Sequence, residues 1–362
     1  MAEDADVFSA LYDVSKRYGN RFYALISPDG ADVTAMTAGT EGQYFYIADT
    51  KGRVLRGQSD NTARGYKLIW SGEKVIRVMT ISPDASWLAC GTETSEIIMI
   101  PITDDTVGYQ MQDSCGSITA LLFSSGGDRL YSSAIEGGVN EWDLITRRGK
   151  KIVEEPAGIQ ALELSQDYSM MAALTNEGRV LYWQTESPGK QNSLETGDRL
   201  ITTHRFIPGG HRLATGDNFG TIDLWNTSAR TNEGNIEGHL SAIKYMAFDN
   251  TDGQMLTADD TGEMKLWTLA DLKQPPVVFT DSEKNILRLA FCDGGEAFLS
   301  ATNHDVTKRP AHIRCMATGI CDKVTRNLSE QEWAAWVGAD IEYEPTCPDK
   351  AYRIKVNELR GR

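Results

Sequence analysis

The strongest constraint on the fold is a repeat. A short apolar pattern occurs seven times: VTAMTA from Val33, IRVMTIS from Ile76, ITALLFS from Ile118, IQALELS from Ile159, ITTHRFI from Ile201, IKYMAFD from Ile243 and ILRLAFC from Ile286. The spacings are 43, 42, 41, 42, 42 and 43 residues. A chain with so regular a period folds as an array of like units, each burying its apolar face against its neighbours.

Each copy reads as a strand followed by a polar turn, such as Ser82-Pro83-Asp84, Pro208-Gly209-Gly210 or Thr251-Asp252-Gly253. A second strand follows (WLACGT from Trp87, RLYSSA from Arg129, RLATGD from Arg212). The next turn centres on Gly52, Gly137, Gly178, Gly220 or Gly262, with Ser95 in the second copy. Glycine suits such turns because it adopts positive φ at little cost. A third strand ends in Trp142, Trp183, Trp225 or Trp267, and a weaker fourth includes YKLIW from Tyr66 and KKIVE from Lys150. Four short strands per period predict an all-β, seven-bladed propeller with one four-stranded blade per repeat. The third strand of blade seven is expected at HIRCMAT from His312, with no fourth strand after it. RFYALIS from Arg21 precedes blade one as an unassigned strand. Residues 21–27 are therefore expected to close blade seven, giving a ring over 21–318 without an open edge.

The third strands TIDLWNT from Thr221 and EMKLWTL from Glu263, together with Gly238-His239, resemble the WD-repeat family. The resemblance covers about residues 21–318 and implies a rigid platform for protein contacts. The family's Asp before the third strand is replaced at the expected position by Thr94, Glu136, Glu177, Phe219 and Thr261, and Gly-His occurs in one copy. The family's buried Ser/Thr-His-Asp-Trp network is thus expected to be mostly absent, leaving stability to apolar packing.

Outside the ring, residues 4–18 (within an N-terminal segment 1–20) read as a helix with Phe8, Leu11 and Tyr12 on one face. Residues 319–362 form a helical cap and tail. ICDKV and SEQEWAAWV read as short helices, the second with Ser329 as N-cap and Glu332 completing a capping box. The run carrying Cys321, Arg326, Asn327, Leu328, Glu332, Trp333, Tyr343, Thr346 and Cys347 resembles a tail that follows WD-repeat propellers in large bacterial multidomain proteins. Those carry NTPase or caspase-like signalling domains upstream. That resemblance implies a sensing or docking module of a bacterial signalling or defence protein. An autonomous scaffold subunit is the alternative.

Lys+Arg is 36 against Asp+Glu 51, a net charge of −15. Nucleic-acid binders and binders of anionic membranes normally carry the opposite sign. No apolar run reaches the roughly 18 residues of a membrane span. MAEDADVF lacks the features of a signal peptide. Six cysteines fit a reducing, cytoplasmic setting, and Cys321 and Cys347, close together in the tail, are expected as packed free thiols, with a disulfide between them as the alternative. No HExxH, CxxC, GxGxxG, GxSxG or Walker A pattern occurs. His304, His312, Cys292, Cys315, Cys321 and Cys347 cluster late in the chain, but their spacing fits no zinc motif. No catalytic residue, cofactor or metal is expected. A propeller hydrolase or lyase is the remaining reading from another class, and it needs convergent histidine or carboxylate groups in the channel.

The second position of each inner strand is expected near the channel mouth: Thr34, Arg77, Thr119, Gln160, Thr202, Lys244 and Leu287. Arg77 and Lys244 are its charged members, expected to meet neighbouring carboxylates or an acidic partner. The turns between second and third strands, expected on the same face, hold Asp49, Glu93, Glu136, Glu177, Phe219, Asp259 and Asp260. That rim is acidic, which favours a protein partner with a basic segment. Phe219 either packs locally or stands exposed as a contact. The segment His304–His312 reads as a long blade-seven loop offering Lys308 and Arg309.

Overall fold

The computed structural model describes residues 24–26, 30–39, 44–58, 66–102, 108–112, 116–209, 211–249, 253–279, 286–302, 305–312, 326–336, 342–343 and 347. The chain divides into two compact units, residues 23–309 and residues 1–22 with 310–362.

The first unit holds seven four-stranded antiparallel sheets, one per repeat. Their inner strands are Val33–Ala38, Ile76–Ile81, Ile118–Phe123, Ile159–Leu164, Ile201–Ile207, Ile243–Phe248 and Arg288–Cys292. Each inner strand contacts the next, and the last contacts the first, so the blades form a closed circle. Ala24–Ile26 supplies the outer strand of blade seven, pairing Ala24 with Thr307, Leu25 with Val306 and Ile26 with Asp305. Hydrogen bonds between the two ends of the ring thus remove the open edge.

Blade seven corrects one expectation. Its third strand is Asp305–Pro310, so the run expected to be a loop is a strand, with Val306 fully buried. The misreading came from charge: TKR looks solvated, but the edge is covered by the closing strand.

Adjacent blades share apolar layers. Tyr131 and Val139 of blade three meet Leu162, Met171 and Trp183 of blade four. Val78 and Ile97 of blade two meet Leu121, Leu130 and Trp142 of blade three. Burying one such aliphatic or aromatic side chain contributes about 1.5–3 kcal/mol. Blade one lacks the third-strand tryptophan. Gly57 stands opposite Phe45 there, and a Cβ on Gly57 would lie 2.2 Å from the Phe45 ring. The aromatic mass comes from the second strand instead.

In the second unit, Glu330–Trp336 is helical. Ser329 N donates to Glu332 Oε2 at 2.8 Å and Glu332 N to Ser329 Oγ at 3.2 Å, completing the expected capping box. Arg326 clasps the same carboxylate through two bonds of 2.6 and 2.7 Å. Asn327 exchanges two 2.8 Å bonds with the backbone of Cys347. Tyr343 donates to Leu328 O at 2.9 Å and meets Trp333 edge to face. Cys347 is disulfide-bonded, to a partner outside the described residues, whereas Cys90 and Cys292 are free and buried. The free thiol expected at Cys347 is therefore corrected, and the cysteine count no longer argues for a reducing compartment. The expected helix over 4–18, the segment ICDKV and Cys321 lie outside the described residues. Among the described residues, no helix is long and apolar enough to cross a membrane.

Candidate functional site

The second residue of the inner strand is a β-bulge in six blades, because the register with the second strand slips there. A bulge leaves its side chain free to turn toward the next blade. Thr119 uses this freedom to donate to Ile159 O at 2.6 Å, and its hydroxyl lies 2.9 Å from Ser133 Oγ. Thr202 likewise bonds Gly216 O at 3.1 Å and Ile243 O. These two hydroxyls staple neighbouring blades rather than face a partner. Arg77 is exposed and meets Glu93 at 2.8 Å, an exposed pair worth at most about 1 kcal/mol. Gln160 and Lys244 are exposed, and Lys244 has no ion-pair partner among the described residues.

The acidic turn residues separate into two groups. Asp49, Asp217 and Asp259 end their second strands and are buried. Asp217 Oδ1 accepts from the amides of Phe219 and Thr221, both at 2.9 Å. Asp259 Oδ1 accepts from Thr261 and Glu263, both at 3.0 Å. Asp259 therefore folds its turn and is not offered to a partner. Thr92 and Thr175 do the same work with a hydroxyl. Glu136, Glu177 and Asp260 remain exposed on the rim, Glu177 beside Arg179 and Asp260 bonded to Ser241.

The aspartate of the family's polar network stands two residues before the position expected for it. Blade six brings all four residues together: His239 Nε2 lies 2.8 Å from Thr257 Oγ1, Trp267 Nε1 donates to the same oxygen at 2.9 Å, and His239 Nδ1 lies 3.4 Å from Asp259 without a hydrogen bond. Burial lowers the His239 pKa, with Lys265 adding to the effect and Asp259 and Glu263 opposing it. Blade five keeps Trp225 on Thr215 at 3.0 Å and replaces the histidine with Arg199, which reaches Asp217 and Asp223. Blade three keeps Trp142 on Ser132. In blade seven Arg309 is buried and donates to Ser300, whose register matches Thr257. Lys308 is half-buried in the same strand. Neither is the loop contact expected from the sequence.

Phe219 is 68 % exposed, which decides between its two readings in favour of an open aromatic. It does not stand alone. Leu200 is 54 % exposed and Leu240 fully exposed. Asn218 N donates to Leu200 O at 3.0 Å, and the amides of Gly238 and His239 converge on Gly220 O at 2.9 Å. These bonds join the backbone segments next to Leu200, Phe219 and Leu240. Exposed Glu195, Asp198 and Asp260 lie in the same loops. Leu200 and Leu240 were not expected here, although the sequence carries a signal for them: each is an apolar residue inside an otherwise polar turn.

At the other end of the inner strands, the fifth positions line a cavity of about 460 Å³. They include Thr80, Leu122, Glu163, Arg205, Ala247 and Ala290. Arg205 Nη1 donates to Glu163 Oε2 at 2.6 Å, and its Nε to Met246 O at 3.1 Å. Arg288 lies over the Tyr245 ring, 5.9 Å from its centroid. Burial raises the Glu163 pKa, opposed by Arg205 and Arg288. Burial lowers the Arg288 pKa as well. His204, next to Arg205, is buried against Ala172 O at 3.2 Å, and burial drives its pKa to about 3. None of these residues stood out in the sequence. The column Thr37, Thr80, Leu122, Glu163, Arg205, Ala247, Ala290 carries its charges in one adjacent pair.

No family model matches the chain. It is 20% identical to WD repeat-containing protein 90 of Xenopus tropicalis over 264 residues, 70% of this chain and 14% of that protein. It is 22% identical to periodic tryptophan protein 2 of Arabidopsis thaliana over 197 residues, 53% of this chain and 22% of that protein. It is 22% identical to WD repeat-containing protein SL1-17 of Schistosoma mansoni over 165 residues, 45% of this chain and 54% of that protein. The chain thus matches only part of the length of each relative. Sequence similarity and blade count agree: this is a seven-bladed β-propeller similar to WD-repeat proteins.

Proposed function

We propose that this chain is a non-catalytic protein-recognition platform whose docking face is the loop face where the inner strands begin. One observation carries the reading. Of the eight large apolar residues that stand exposed among the described residues, Ile135, Leu200, Phe219 and Leu240 lie in loops of that face. Clustered exposed apolar side chains mark interaction surfaces, and aromatic residues dominate binding energy at such surfaces. The flanking carboxylates and the net charge of −15 favour a partner segment with Lys or Arg beside aliphatic or aromatic residues. His204 and His239 are both buried with lowered pKa values, which weighs against their use as solvent-facing bases in a hydrolase or lyase. The tail's resemblance to those of bacterial multidomain proteins supports a finer reading, a sensing or docking module of a signalling or defence protein.

The test is a peptide-display selection against the whole chain, counter-selected on the Phe219→Ser/Leu240→Ser variant. Enrichment of basic, apolar-rich peptides that the variant does not bind supports the platform. Enrichment of acidic peptides, or of peptides bound equally by the variant, contradicts it.

A further inference from the structure

We propose that the axial channel holds a site for a small organic anion, its head group taken by Arg205 and Arg288 and its apolar body by the phenylalanines at the channel mouth. This goes beyond the docking face and concerns the opposite end of the inner strands. Arg205 comes from the fifth position of blade five and Arg288 from the third position of blade seven. Glu163, from blade four, is the carboxylate that meets Arg205. Arg205 lines the cavity and meets Glu163, and Arg288 stands near enough to both to interact with their charges, so two guanidinium groups are set against one carboxylate in a protein whose net charge is −15.

Neither guanidinium is saturated. A guanidinium has five N–H donors. Arg205 spends two nitrogens, Nε on Met246 O and Nη1 on Glu163 and His204 O, and its Nη2 has no bond among the described residues. Arg288 makes one long bond of 3.4 Å to Leu287 O and lies over Tyr245. Planar guanidinium groups match carboxylate and phosphate oxygens in paired bonds. Burial lowers the Arg288 pKa, so this guanidinium is under-solvated as it stands, a deficit that a bound anion relieves.

The cavity supplies the rest of the ligand's chemistry. Its volume of about 460 Å³ lies within the range of small-molecule sites. Phe123, Phe206, Phe248 and Phe291 line it, all from the sixth position of their inner strands. The ligand class is a carboxylate or phosphate monoester on a body about the size of an aromatic ring.

The experiment titrates benzoate, phenyl phosphate and neutral benzamide into the full chain by calorimetry and protein-observed NMR. Both anions are expected to bind at least about tenfold more tightly than benzamide. The tighter of the two identifies the head group. Glu163→Gln frees Arg205 and is expected to tighten anion binding about tenfold. Arg288→Met is expected to weaken anion binding about tenfold while leaving benzamide unchanged. Thermal melting checks that each variant folds, and if Arg288→Met does not, Glu163→Gln alone decides. Equal binding of anions and benzamide, no binding of any probe at about 10 mM, or an unchanged affinity in Glu163→Gln overturns the proposal.

Discussion

Blades four and six place a tryptophan at the same register and treat it differently. Trp267 donates its N–H to Thr257, which also meets His239. Trp183 is fully buried, but Ala173 stands where Thr257 does in blade six, and its N–H has no partner among the described residues. Each indole fills an apolar layer between adjacent blades, Trp183 between blades three and four and Trp267 between blades five and six. Where a blade carries the tryptophan, it uses the body of the ring and treats the hydrogen bond as optional. A polar network adds definition in blade six, and blade four manages with packing alone.

That contrast can be broken most forcefully by removing each ring. Trp183→Ala and Trp267→Ala should each cost about 3–5 kcal/mol in urea denaturation, because each opens a large cavity. If Trp183→Ala proves nearly neutral, packing is not what holds blade four.

The histidine beside the channel sharpens the comparison through pH. His204 stands where the other inner strands have Met36, Met79, Leu121, Leu162, Met246 and Leu289. It is buried neutral, with a pKa near 3 against an ordinary 6.5. A depressed pKa means the unfolded chain binds the extra proton, so stability should fall as pH drops from about 6.5 toward 3. The loss should reach a few kcal/mol, because each tenfold difference in proton affinity between the folded and unfolded chain is worth about 1.4 kcal/mol. His204→Leu should remove this slope in melts recorded from neutral to acid pH. A slope that persists unchanged contradicts the buried neutral state.

The hydrogen bonds themselves come next in size. Thr257→Val strands both the Trp267 N–H and His239 Nε2, a loss of about 1–3 kcal/mol. Ala173→Ser should do the reverse and give Trp183 a partner, a gain of about 0.5–1.5 kcal/mol. Equal and negligible effects would mean the two blades do not differ as described. Smallest of all on stability are Phe219→Ser and Leu240→Ser, expected within about 0.5 kcal/mol because both side chains stand in solvent. A larger loss would make these residues structural instead of part of a docking face.

Much of this architecture was legible as text. The period of about 42 residues, the turn glycines and the four tryptophans define the blades, because strand length and turn chemistry are local. The closing strand near Arg21 was readable as a strand left without a blade. The capping box at Ser329 and Glu332 was readable because its spacing is its geometry. What was hidden depends on side chains that leave their own segment. Asp259 precedes its turn yet serves amides two and four residues ahead, so the turn's own residues do not reveal it. Thr119 and Thr202 look like channel-mouth residues until the bulge aims them at the next blade. Glu163 and Arg205 sit 42 residues apart in the sequence and meet only because adjacent blades bring their fifth positions together. Lys308 and Arg309 read as loop charges because the strand covering them comes from the other end of the ring.

The most direct measurement is a calorimetric titration of one selected basic, apolar-rich peptide into four forms of the chain: wild type, Phe219→Ser, Leu240→Ser and Glu163→Gln. The loop face as docking site predicts a loss of at least about tenfold in the Phe219 and Leu240 variants and no change in Glu163→Gln. Full affinity in the Phe219 and Leu240 variants, or a loss confined to Glu163→Gln, would place recognition elsewhere on the propeller and contradict the account.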